Sequence, residues 1–185
     1  MICPGPYEVM KRTYKDGEMM PESSAATFEF LYGLVRLLKP MRIVEVGSHN
    51  GVALSWLVRA AVENKNGALV VGYEIDPRLR AEAVQRLELC APGERWQVKG
   101  DFFAEPAPVE CDFCFLDIDP KSDYQRAFQR LSIAEDGMLV ADDMLRGEHA
   151  ADALDFSYKE FVGNPAWHTV MLKGERGVLM ARRMR

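Results

Sequence analysis

Phe28, Leu31, Leu34, Val35 and Leu38 recur three or four positions apart, the spacing of one helix face. Residues 21–38 therefore read as an amphipathic helix that stops near Pro40, with Ser23 and Ser24 as cap candidates. The pattern then changes to a short β-branched run, RIVEVG (42–47), which ends on a glycine and leads through SHNG into the helical ALSWLVRAAVENK. That is strand, glycine loop, helix. The alternation continues with ALVVGYEI (68–75) as a strand, PRLRAEAVQRLELCA (77–91) as a helix, WQVKG (96–100) and CDFCFLDI (111–118) as strands, and YQRAFQRLSIA (124–134) as a helix. GMLVAD (137–142) and DALDFSYKEFVG (152–163) add a fifth strand and another helix.

The last two apolar runs, HTVMLK (168–173) and VLMARR (178–183), are separated by GERG alone. That connection suits a hairpin and is too short for a helical crossover. Strands alternating with helices predict an α/β fold: a doubly wound, mostly parallel, seven-stranded sheet covered on both faces, finished by a C-terminal antiparallel hairpin. The basic ARRMR is expected to end a solvated edge strand. With 185 residues, of which 48% are hydrophobic, residues 1–185 can bury one core and are expected to form one domain.

The first residues lack the apolar run of a secretory signal, and no stretch reaches the length needed to cross a bilayer, so a soluble, cytoplasmic protein with no membrane partner is expected. A net charge of -5 without a long Lys/Arg cluster argues against nucleic acid. Cys111 and Cys114 form a CxxC, but no second cysteine pair or histidine pair stands at ligand spacing. They read as packing residues rather than a redox or zinc site. Trp56 falls on the apolar face of its helix and reads as core, and His168 as structural.

In sheets of this kind ligands bind beyond the carboxyl ends of the strands. The first such loop, Glu45-Val-Gly47-Ser48-His49-Asn-Gly51, is a GxxxG loop without the middle glycine that brings backbone up to a pyrophosphate, which weakens a dinucleotide reading. The second strand ends in Gly72-Tyr-Glu74-Ile75-Asp76-Pro77, with Glu74 suited to accept two ribose hydroxyls and Asp76 to cap the next helix. Asp101, Phe102 and Phe103 offer a hydrogen-bond acceptor and an aromatic wall.

VEVGSHNG, YEID, KGDFF, DFCFLDIDPKSDYQRAF and GMLVADDML stand in the order and approximate spacing of a known family. They resemble the class I S-adenosylmethionine-dependent methyltransferases, with their Rossmann-like fold, and more closely the small-molecule O-methyltransferases of the catechol and caffeoyl-CoA type. The resemblance runs from about Met20 to the C-terminus and includes the final hairpin. It implies S-adenosylmethionine (SAM) as cofactor and O-methylation of a small acceptor. Glu45, Gly47, Ser48, His49 and Gly51 would surround its methionine part, Glu74 and Ile75 the ribose, Asp101 and Phe102 the adenine, and Asp117 the methyl-bearing end.

In that family an Asp, Asp, Asn set holds a divalent metal that chelates two adjacent acceptor oxygens. The matching residues here are Asp117, Asp142 and Asp143, and oxygen ligands suit Mg2+ or another hard divalent cation. Two departures stand out: Asp143 replaces the Asn, and Pro120 is an extra residue before Lys121. Lys121 resembles the family's catalytic base, beside Asp117; without a metal, His149 is the next candidate base. Met10, Tyr14, Met19 and Met20 in residues 1–20 would form either a lid over the cofactor or a homodimer contact. Three other readings stay open: a methyltransferase directed at nitrogen, for which Asp119-Pro120-Lys121-Ser122 lacks the second proline and the aromatic of the usual segment; a nucleotide-binding dehydrogenase; and a binding module without catalysis.

Overall fold

The computed structural model describes residues 22–145, 150–173 and 176–185, and the side chains of these from residue 26 onward. The chain runs α1 (Glu22–Leu38), β1 (Arg42–Val46), α2 (Val52–Asn64), β2 (Leu69–Tyr73), α3 (Pro77–Cys90) and β3 (Trp96–Lys99). It continues with β4 (Val109–Leu116), the short α4 (Tyr124–Phe128), β5 (Leu131–Ala141), α5 (Ala150–Phe161), β6 (Trp167–Leu172) and β7 (Val178–Arg183). One-turn 3₁₀ segments at Phe102–Ala104 and Lys121–Asp123 follow β3 and β4.

The seven strands form one sheet in the order β3-β2-β1-β4-β5-β7-β6. β1 to β5 are parallel, whereas β7 runs antiparallel to both β5 and β6. The expected α/β fold and terminal hairpin are therefore present. β7 is not an edge strand, as the sequence had suggested: it lies between β5 and β6, where Arg182 and Arg185 pair with Asp136 and Arg183 donates to the Ile133 carbonyl.

Successive residues of a strand face opposite sides, so a central strand apolar on both faces builds two cores at once. Ile43, Val70, Phe113, Phe115 and Val140 face a layer with Leu31, Val35, Leu54, Leu57 and Leu87 from α1, α2 and α3. Val44, Val46, Val71, Cys114, Leu116 and Leu139 face the other side, with Tyr124, Phe156 and Phe161. Trp56 is buried, edge-to-face with Tyr32, while His168 is exposed on the edge strand β6. Cys111 and Cys114 are buried in β4, where burial pushes the Cys114 thiol up from its ordinary value. No helix among the described residues is long and apolar enough to cross a membrane.

The helix expected over 124–134 ends at Phe128. Leu131–Ile133 instead pair with Val109–Cys111, and the ladder resumes at Met138 after a shift of register. Asp136, at φ 62, and Gly137 occupy the irregular stretch; a Cβ on Gly137 would meet the Ala134 carbonyl oxygen at 2.8 Å.

Candidate active site

Strand order reverses between β1 and β4, the position where doubly wound sheets open a crevice. Beyond it lies a cavity of about 480 Å³, within the size range of small-molecule sites. Gly47 and His49 border it from the β1 loop, Glu74 and Ile75 from the end of β2, and Asp101 and Phe102 from the turn after β3. Asp117 borders it from the end of β4. Seven of the residues expected around a cofactor thus share one cavity.

The glycine loop is shaped by close approaches. Gly47 has φ 92, and a Cβ there would fall 2.1 Å from the Asp117 carbonyl oxygen. Gly51 has φ 81, and its Cβ would meet Ala83 of α3 at 2.8 Å. Left-handed backbone and the absence of a side chain are both required at these positions. The amides of Gly47 and Ser48 donate to the Tyr73 carbonyl, at 3.0 and 2.9 Å, which hangs the loop from the end of β2.

Glu74 is held on both oxygens. Its Oε2 accepts from the His49 amide and its Oε1 from the Asp76 amide, each at 2.8 Å. The carboxylate is thereby oriented before any ligand arrives. Asp76 caps α3, accepting from the Arg78 and Leu79 amides, and these bonds lower its pKa. Asp101 Oδ1 accepts from the Phe103 amide at 2.8 Å, and Arg126 lies over the Phe103 ring, 3.9 Å from its centre.

Glu45, Ser48 and Gly51 stand behind the loop rather than in the cavity lining. Glu45 is 1% exposed, and burial pushes its carboxyl up to about 8, with Asp117 and Glu74 adding to the shift. Its Oε2 and the Ser48 Oγ are buried atoms without a hydrogen-bond partner. Leu79, Ile118, Asp119, Asp123 and Arg126 also line the cavity. Leu79 comes from the first turn of α3, and the other four from the segment after β4.

The acidic rim differs from its expected form. Asp117 follows β4, and Asp142 and Asp143 follow β5, whose Ala141 is in register with Leu116. Among the described residues, however, no group of three or more His, Cys, Asp or Glu side chains is placed to hold a metal ion. Cations of the chain lie against two of the three expected acids, Asp117 and Asp143. Lys121 Nζ lies 3.0 Å from Asp117 Oδ1, 3.5 Å from Asp119 Oδ1 and 3.8 Å from Asp143 Oδ2, and the side chain is 2% exposed. Arg176 bonds both oxygens of Asp143. Asp142 is buried with Oδ1 unpartnered; burial, then the neighbouring Asp117 and Asp143, push its carboxyl up to about 6.

Residues 1–20 and His149 lie outside the described residues.

No protein-family model matches the sequence, and no curated protein matches it. Solved structures do match. An SAH-bound methyltransferase of Podospora anserina, PaMTH1, is similar over 97% of this chain and 86% of its own, with a TM-score of 0.73 and 18% identity. An O-methyltransferase of Bacillus cereus in complex with SAH is similar over 96% and 90%, with a TM-score of 0.72 and 18% identity. The O-methyltransferase TomG of Streptomyces achromogenes, in complex with SAM, covers 97% and 89%, with a TM-score of 0.71 and 17% identity. The chain has the fold of these methyltransferases along nearly its whole length.

Proposed function

We propose that this chain binds S-adenosylmethionine in the cavity beyond β1, β2 and β4 and transfers its methyl group to a small acceptor, at a hydroxyl oxygen. The charge of the cavity lining carries this reading. Glu74, Asp101, Asp117, Asp119 and Asp123 all border the cavity, and Arg126 is the one arginine or lysine among its described lining residues. Such a lining disfavours the pyrophosphate of a dinucleotide and suits a ligand with a sulfonium, an ammonium and two ribose hydroxyls. The neighbouring folds, solved with SAH or SAM, support the same ligand.

Glu74 would hold the ribose with a carboxylate already fixed by two backbone amides. Asp101 and Phe102 would border the base, with Ile75 beside it, and Gly47, His49 and Asp117 the methionine end; Glu45, Ser48 and Gly51 shape the loop from behind. When bound, the cofactor supplies an electrophilic methyl group. The chain's own part is to align the acceptor oxygen and manage its proton. Asp117, which borders the cavity and accepts from Lys121 at 3.0 Å, would take that proton, with Lys121 holding its carboxylate in place.

Calorimetric titration with SAH and, separately, with NADH tests the cofactor. Saturable SAH binding with no NADH binding is expected, and the reverse would sink the reading. Incubation with SAM and a panel of phenols, alcohols and amines, read by mass spectrometry, tests the acceptor atom, and methylation confined to the amines would move the assignment to nitrogen.

A further inference from the structure

We infer that Lys121 and Arg176 together hold the place of a divalent cation, so that the carboxylate rim beyond β4 and β5 is partly neutralised by the chain itself and takes up no metal. The register of Leu116 with Ala141 brings Asp117, Asp142 and Asp143 to one edge, and Asp119 joins them. Carboxylates gathered this closely need positive charge. Two cations of the chain supply it. The Lys121 ammonium reaches three of the four carboxylates, and the Arg176 guanidinium takes both oxygens of Asp143.

A hard metal ion would need those same oxygens. The planar fork of an arginine matches a carboxylate on two points, which a lysine cannot do. Arg176 is also built in. Its carbonyl accepts from the Leu145 amide at 2.8 Å, and the next residue, Gly177, accepts from the Met144 amide at 3.0 Å. A Cβ on Gly177 would run into Leu145 at 2.5 Å, so the hairpin loop fits closely against the segment that carries Asp143. The aspartate at 143, which adds a negative charge where the resembling family has Asn, has its matching positive charge in Arg176.

One consequence rests on the methyl-transfer reading: an acceptor at this rim is recognised through a single oxygen lying against Asp117. No second, adjacent oxygen is required, as it would be on a chelating metal. The metal statement itself does not depend on that reading.

Mn2+ tests the inference in the absence of any cofactor. Calorimetry and the electron paramagnetic resonance of free Mn2+ are expected to detect no saturable binding to the wild-type chain up to about 1 mM. Saturable wild-type binding that Asp142→Asn abolishes would overturn the inference. Arg176→Gln, checked for its fold by circular dichroism, should bind Mn2+ at least about tenfold more tightly than wild type, since it uncovers Asp143. A folded Arg176→Gln chain with no gain would also overturn it. The wild-type titration and its Asp142→Asn control do not involve Arg176→Gln, so they decide the question even if that variant fails to fold. SAH titration in the same buffers reports separately on the cofactor: loss of SAH binding with no Mn2+ uptake would end the methyltransferase reading and leave the metal statement standing.

Discussion

The Tyr124 hydroxyl donates to the Asp142 carbonyl at 2.8 Å, and it lies 3.2 Å from the Leu116 carbonyl. One buried phenol thus joins the ends of β4 and β5, the two strands that carry the acidic rim. Burial and the surrounding aspartates hold its pKa well above the ordinary value, so it stays a donor. Tyr124→Phe keeps the ring but leaves a buried carbonyl short of its partner. We expect a loss of about 1–3 kcal/mol in urea denaturation, and unchanged stability would mean the bond contributes nothing net.

Glu74→Gln probes the proposed ribose contact. The amide nitrogen would face one of two backbone N–H groups, at His49 or Asp76, where the carboxylate accepted. Affinity for SAH should fall about 10–100-fold, the value of one or two charge-assisted hydrogen bonds. Calorimetry reads it directly, and an unchanged Kd would remove Glu74 from the cofactor site.

Glu45 gives the fold a signature in pH. Its folded pKa, about 8, lies above the value in an unfolded chain, so the native state binds the extra proton between the two. Stability from this group is full below the unfolded pKa and is lost as pH rises through 8, with a slope of about 1.4 kcal/mol per pH unit. Wild type should therefore melt at lower temperature at pH 8 than at pH 6. Glu45→Gln should flatten that difference, and parallel curves for the two proteins would contradict it.

Lys121 is 2% exposed among three carboxylates. Lys121→Met should destabilise by about 3–5 kcal/mol, since it leaves partly buried acids unbalanced. Asp117→Asn in the same chain should recover part of that loss. A double-mutant cycle measures the coupling; additive losses would show that the two side chains do not act as a pair.

The strands and the loops that line the cavity were legible in the sequence because each is encoded locally. β1 and β4 are apolar runs, Gly47 and Gly51 mark a turn, and Glu74 ends a strand before a capped helix. What stayed hidden depends on distant segments. LSIA continues a helical period on paper, yet Leu131–Ile133 extend along Val109–Cys111 because that pairing completes the sheet. Arg176 sits 33 positions from Asp143, and no periodicity links a hairpin loop to the end of β5. The acidic rim shows the same limit: Asp117, Asp142 and Asp143 could be counted in the sequence, but the cations beside Asp117 and Asp143 are brought in by tertiary contacts.

The insertion of β7 between β5 and β6 sets an order of assembly during synthesis. β5 is made well before the segment 178–183 that covers its edge, so on a ribosome its row of backbone donors and acceptors waits for the last part of the sheet to emerge. Arg176, which quenches the rim, arrives with that same segment. Closing the sheet and balancing the charges of its acidic mouth are therefore a single late event.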